Sequence, residues 1–424
     1  MQAHLKLLDL LRNVPDATGA PVTSRLSAHR GLELPVVGRV ADAEPLARSE
    51  EALALRHPES IFRGLGALSL AVGSRRIYLA LREDYHALRE VFARLAKGLR
   101  IEVVSIPARY PLDEPALLHL VAERVGVAVE AMCTPHVYDA IVLADVGHAV
   151  VGAHNPMRPI TVAGAVARPG VYELPVGAVL EDVVRIAGGS LSPAWVALDG
   201  AKTPHTLLDG EASVDLHTRL LMVLPSAHPQ VVAARMPLGE TLRRVAAACT
   251  GCAVCSHVCP VAFCRPHEVM RQIKAGFGGD AHLPTPPSGV EVCCECGLCS
   301  LACPSGLDPA QICHALISRV HEEGVAKVRP AADSDGGWPM AAIEPRFGRA
   351  PLDARLRPGR VERLAVPLQG AKGQHREALM AAGDDFSRGA LLARGSAGMV
   401  DFHAPLAGRV EAVDPDLGLV LRCR

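Results

Sequence analysis

Aromatic side chains are scarce, at 3% of 424 residues against 49% for all apolar types, so the cores must be built largely from Val, Leu and Ala. An excess of either charge is also missing. With 44 basic and 45 acidic residues the formal net charge is −1, which excludes a global field that would hold the chain on nucleic acid or an anionic membrane. No apolar run approaches the roughly 18 residues of a spanning helix. The N-terminal MQAHLKLLDLLRNV has no signal-peptide cleavage site and carries charge within its apolar part. The expectation is a soluble cytoplasmic protein with no nucleic-acid partner and no transmembrane segment. Its length suggests two to four domains.

What the chain does have is sulfur. Of its 13 cysteines, 11 fall between Cys249 and Cys313. A disulfide framework would spread them over a small secreted domain, whereas crowding points to metal. Cys249, Cys252 and Cys255 are two residues apart, and Cys259 follows after three, directly before Pro260. The same spacing returns 44 residues later as Cys293, Cys296, Cys299 and Cys303, ending at Pro304. C-x2-C-x2-C-x3-C-P is the run of bacterial two-cluster ferredoxins, in which the fourth cysteine ligates the other cluster. The expected ligand sets are therefore Cys249, Cys252, Cys255 and Cys303 for one 4Fe–4S centre, and Cys293, Cys296, Cys299 and Cys259 for a second. Paired zinc sites are the rival, but zinc has no use for the third x2 step or the trailing Cys-Pro. Cys264, Cys294 and Cys313 fall outside the register and read as buried small apolar residues. With every ligand position filled by thiolate, the pair would move electrons rather than make bonds.

Around the cysteines the chain divides by texture. RRIYLALRE (75–83), LRIEVVSIP (99–107) and DAIVLADVG (139–147) read as buried strands, and a helix capped by Asp84 carries Leu88, Val91, Phe92 and Leu95 on one face. This is α/β with a mainly parallel sheet. From Pro159, two short strands around Arg168-Pro169-Gly170 and a helix at Val179–Ile186 stopped by Gly188-Gly189 suggest a β-grasp module. In DPAQICHALISRV, Asp308 can cap, Pro309 suits the first turn, and Ile312, Leu316 and Val320 mark a buried face. Residues 325–360 are rich in Pro, Gly and Arg and read as a linker; beyond them short alternating strands are all-β. His257 and His267 read as surface or supporting residues, His148 as structural, Arg346–Arg360 as a solvated strip, and the N-terminal Leu7, Leu8, Leu11 and Val14 as one side of a first helix.

The order of these parts resembles the C subunits of Rnf-type electron-transport complexes and, more closely, the cobalamin reductases of propanediol-utilising microcompartments, a family related to the flavin-bearing subunit of complex I. The resemblance rests on VADAEPL (40–46), IPARYP (106–111), VAGAVARPGVYELPVG (162–177), both cysteine motifs and HAPLAGRV (403–410). It implies a Rossmann-like α/β domain at 1–157, an SLBB-type β-grasp domain at 158–232, a two-cluster ferredoxin-like helical domain at 233–324, the linker, and a barrel-sandwich β domain at 361–424. In that family the α/β domain holds FMN under a glycine-rich loop and takes hydride from NADH. Here PDATGAPVTSRL (15–26) puts Asp16 and Thr18 where glycines are expected. Gly19, Arg25, Arg39 and Glu44 are what remains of such a site, so the flavin site reads as degenerate. The implied function is an iron–sulfur relay serving a partner: a flavoprotein, a cobalamin-dependent enzyme or adenosyltransferase, or a ferredoxin. The setting would be a microcompartment with its shell, or a membrane complex. The alternatives are a self-sufficient FMN-containing, NADH-dependent reductase of cob(II)alamin or ferredoxin, and an adaptor whose clusters are structural.

Overall fold

The computed structural model describes residues 2–16, 20–28, 35–112, 114–126, 136–153, 156–201, 206–261, 264–276, 283–286, 289–324, 338–346, 350–351, 353–369, 375–396, 398–415 and 417–424. Its first unit comprises α1 (Gln2–Leu10), α2 (Val22–Ala28), β1 (Val36–Val40), α3 (Ser49–Arg56), α4 (Pro58–Val72), β2 (Ile77–Arg82), α5 (His86–Ala96), β3 (Ile101–Ile106), β4 (Arg109–Tyr110), α6 (Glu114–Val125), β5 (His136–Asp139) and α7 (Ala140–Ala149). Four strands form a parallel sheet in the order β3-β2-β1-β5. Leu11, Leu65, Leu79, Leu88, Phe92 and Leu143 fill its core without exposure.

Two sequence expectations need correction here. DAIVLADVG is not a strand: β5 ends at Asp139, whose carboxylate accepts the Val142 N–H at 2.9 Å and starts α7. A short Ala/Ile/Val/Leu run fits a buried strand or a buried helix equally well, and only the cap tells them apart. Asp84 does not cap α5; it chelates Arg82 at 2.7 and 3.0 Å. His148 consequently sits in the last turn of α7, edge-on to His57. Helices α4 and α7 approach closely because of two glycines. A Cβ on Gly64 or Gly147 would come within 1.9 Å of a carbonyl oxygen on the facing helix.

The β-grasp unit holds β6 (Met157–Gly164), β7 (Gly170–Pro175), α8 (Leu180–Ile186), β8 (Trp195–Asp199), β9 (Thr206–Leu208) and β10 (Leu220–Pro225). Four helices then surround the cysteine motifs: α10 (Leu238–Ala248) after a short α9 (Pro229–Ala234), then α11 (Val254–His257), α12 (Pro266–Ala275) and α13 (Leu298–Leu301); α14 (Pro309–Glu322) follows. Asp308 caps α14 through the Gln311 N–H, and Ile312, Leu316 and Val320 are buried.

Of the stretch expected as a linker, residues 338–346 and 353–360 are stitched into the body, and 325–337 lie outside the described residues. β11 (Trp338–Pro339) pairs with β4 and is followed by α15 (Met340–Ile343), and β12 (Leu356–Pro358) adds a parallel edge to β7. Its Pro and Gly content breaks long elements but leaves two- and three-residue strands available to neighbouring edges. The last unit is antiparallel, built from β13 (Arg363–Val366), β14 (His375–Ala378), β15 (Asp385–Phe386), β16 (Leu391–Ser396), β17 (Phe402–His403), β18 (Gly408–Asp414) and β19 (Gly418–Cys423), in sheets ordered β13-β19-β18-β15 and β14-β16-β17. It shares a core with the β-grasp unit, where Leu364, Leu392 and Leu421 meet Ile160, Leu174 and Leu180.

Candidate iron–sulfur centres

The two motifs are built as one backbone repeat. Cys249 closes α10 and Cys293 closes the 3-10 turn at Val290–Val292. After each, the chain takes the left-handed region twice: Gly251 and Ala253 at φ +75° and +61°, Glu295 and Gly297 at +56° and +77°. Ala253 and Glu295 hold a conformation that costs a side-chain-bearing residue on the order of 1 kcal/mol. Such alternation curls the backbone so that successive N–H groups point inward as an anion nest. Those N–H groups meet sulfur. Glu295 N–H donates to Cys293 Sγ at 3.4 Å, Leu298 N–H to Cys296, and Val254 N–H to Cys252. The last bond, with the Thr250 hydroxyl, holds the Cys252 thiol below the ordinary value.

Short helices α11 and α13 then carry Cys259 and Cys303 away from their own loops, with Cys259 N–H bonded to Ser256 O and Cys303 N–H to Ser300 O. Cys303 arrives at the other motif. It lines one cavity with Cys249, Cys252 and Cys255, closed by His267, Met270 and Leu307. Cys259, Cys293 and Cys299 are neighbours in turn, and Cys296 adjoins Cys299. Burial pushes Cys255 up to about 11 and raises Cys299, an uncompensated-thiolate cost that a cationic iron core would remove. Among the described residues no His, Cys, Asp or Glu group converges as the shell of a single metal ion would. Four thiols spread around a cavity, with inward N–H donors, fit a cluster.

The two motifs differ in setting. Cys252 is exposed, whereas Cys296 and Cys299 are 6% and 8% exposed. Cys296 and Leu298 belong to the apolar core that contains Ile106, Tyr110, Leu112 and Met340, and the Tyr110 hydroxyl donates to the Cys296 carbonyl at 2.6 Å. Sequence reasoning missed Tyr110 because nothing local marks a contact spanning 186 residues. It also undervalued Cys264. Cys264 and Cys313 are buried as expected, at 2% and 1%, and Cys294 is half-buried. The Cys264 thiol, however, lies beside Cys259, Cys293 and Cys313, and its single S–H holds the neighbouring Cys259 and Cys293 below the usual thiol value. Cys294 similarly bonds to Cys296. His257 is exposed; His267 lines the first cavity, its Nδ1 paired with Ser256 Oγ at 2.7 Å.

The residues held out for flavin are occupied otherwise. Arg39, near the end of β1, pairs with Glu50 at 2.6 Å; Glu50 is buried and Arg39 partly so, with Asp42 and Asp139 nearby. Asp42 accepts the N–H groups of Glu50 and Glu51 at the start of α3, the position in which a helix terminus would receive phosphate. Glu44 accepts the Ala201 N–H of the β-grasp unit. Gly19 and the Arg25 side chain lie outside the described residues. Arg39 leaves a buried Nε without a partner, but its Nη2 serves Glu50 and the carboxylates at the strand ends do not fit a flavin phosphate.

Comparison with known proteins follows this division. Residues 159–204 match the SLBB domain and residues 248–308 match the 4Fe-4S dicluster domain. The chain carries both domains. It has homologues named cobalamin reductase PduS: the Salmonella typhimurium protein is 26% identical over 96% of this chain and 94% of its own length, and the Citrobacter freundii protein 28% identical over 64% and 62%. The C-type component of the ion-translocating oxidoreductase complex of Rhodobacter capsulatus is 25% identical over 56% of this chain but only 44% of its own length. A solved NAD+-reducing NiFe-hydrogenase in the air-oxidized state aligns over 81% of this chain and 65% of that chain, at 22% identity and a TM-score of 0.46. The chain is an iron–sulfur electron-transfer oxidoreductase related to the cobalamin reductases, and among the described residues no helix is long and apolar enough to cross a membrane.

Proposed function

We propose that this protein relays single electrons through two 4Fe–4S centres to a partner redox enzyme, in cobalamin reduction and reactivation or in an Rnf-like system, from a cytoplasmic or microcompartment location. Cys249, Cys252, Cys255 and Cys303 would hold one centre; Cys293, Cys296, Cys299 and Cys259 the other. The observation that carries the reading is the meeting of Cys303 with the three cysteines of the first motif in one cavity. When bound, the clusters supply one-electron uptake and release. The chain's part is to hold the thiolates, donate N–H groups that stabilise them, and set their access to water. Cys252 at the surface makes the first centre the terminal that a partner can reach, and Cys296 and Cys299 place the second against the α/β unit. Hydrogen bonds to sulfur and burial are the levers that set cluster potentials. Electrons would enter from a separate flavoprotein, because Arg39 and Asp42 are engaged internally.

Anaerobic purification with iron, sulfide and flavin quantification tests the reading. About eight irons and eight sulfides per chain without flavin is the expected result. Bound FMN together with NADH oxidation would support the self-sufficient reductase instead, and zinc in place of iron would remove both.

A further inference from the structure

The surface around the first centre has a shape and a charge that holding a cluster does not require. Thr250, Gly251 and Cys252 are all exposed, so small side chains flank Cys252 at the surface. His267 and Met270 of α12 line the cavity beneath. Residues three and four positions apart on a helix share a face, which puts Arg271 and Lys274 at the border of that cavity. Lys274 Nζ reaches the Cys249 carbonyl, and on the far side Arg244 of α10 leans on the Gly306 carbonyl, past Cys303. Among the described residues Glu240 pairs with Arg243 and Glu268 with Arg265, while Asp308 keeps its charge, bonded to the neutral Ser300 Oγ and Gln311 N–H. Among the described residues Arg244, Arg271 and Lys274 have no ion pair. A chain of net charge −1 therefore carries a local cationic rim around its exposed thiolate.

Resting on the relay reading, we propose that this face is the docking surface for an acidic single-electron carrier protein, which exchanges electrons with the first centre over Cys252. Rim charges act on encounter: they raise the association rate at low salt and discriminate against carriers of the wrong sign. One electron leaves the reduced chain and one enters the carrier, with no bond made or broken.

The test uses the cluster-loaded full chain, reduced with dithionite, freed of excess reductant and mixed in a stopped-flow instrument with either an acidic flavodoxin or basic cytochrome c. The flavodoxin rate is expected to fall about tenfold as salt rises toward 0.5 M, and about tenfold at low salt in Arg244→Glu/Arg271→Glu, while cytochrome c becomes faster in that variant. Iron content equal to wild type shows that the variant is folded. A flavodoxin rate indifferent to salt and to charge reversal would overturn the docking surface. Wild-type chain with no reducible cluster signal would overturn the relay reading on which it rests.

Discussion

Replacing Cys303 with alanine asks the question on which the relay depends. Cys303 belongs by sequence to the second motif, yet it shares a cavity with Cys249, Cys252 and Cys255. Its loss would leave three thiolates there and four around the other site. Each 4Fe–4S centre takes four cysteines, so iron should fall from about eight to about four per chain. The position of the loss matters more than its size. If the ligands cross, Cys303→Ala and Cys249→Ala remove the same cluster, and their reduced EPR spectra superimpose. The double variant Cys249→Ala/Cys303→Ala should then still hold about four irons, whereas Cys296→Ala/Cys303→Ala should hold none. Anaerobic iron and sulfide assays with EPR at low temperature read all of these. A Cys249→Ala/Cys303→Ala protein without iron, matched by a Cys296→Ala/Cys303→Ala protein that retains half, would refute the crossing and place each motif around its own cluster.

Three further outcomes follow from the geometry. Cys264→Ala removes the one S–H that lies beside Cys259 and Cys293; a bond of roughly 1 kcal/mol converts to about 40 mV for one electron, so the potential of that centre should drop by this order in an EPR-monitored titration, with Cys264→Ser recovering part of it. Equal potentials in all three proteins would show the thiol bonds to be inert. Glu50→Ala leaves the partly buried Arg39 charged and without its partner and should destabilise the α/β unit by about 2 kcal/mol in denaturant unfolding, and an unchanged midpoint would contradict the pair. Asp199 is pushed up to about 7, chiefly by burial and then by Asp215 and Glu44. A carboxyl whose folded value is raised holds its proton in the native state, so its contribution is full at acid pH and is lost as pH rises from about 4 to about 7. Asp199→Asn should flatten that decline, gaining on the order of 1–2 kcal/mol at pH 8 after allowance for partial exposure; a variant no more stable than wild type at pH 8 would count against the shift.

Much of the molecule was readable from sequence where the information is local. The cysteine spacing marks out the candidate ligands because a loop around a cluster is made by consecutive residues, and Asp308-Pro309 announces α14 because caps act over three positions. The reading of DAIVLADVG as a strand failed where the local pattern was ambiguous and Asp139 decided the matter. Residues 338–358 read as linker because strand edges waiting to be paired leave no mark on the partner's sequence. The amino-acid sequence by itself determined which sulfurs are the candidate ligands and that the loop before Leu26 carries Asp16 and Thr18 where the resemblance leads one to expect glycines. Only the tertiary structure decided that Cys252 faces water while Cys296 lies under Tyr110, that Cys264 lies beside three other thiols, and that Arg39 pairs with Glu50. Exposure, thiol contact and charge pairing are sums over residues far apart in the chain, and no window of sequence contains them.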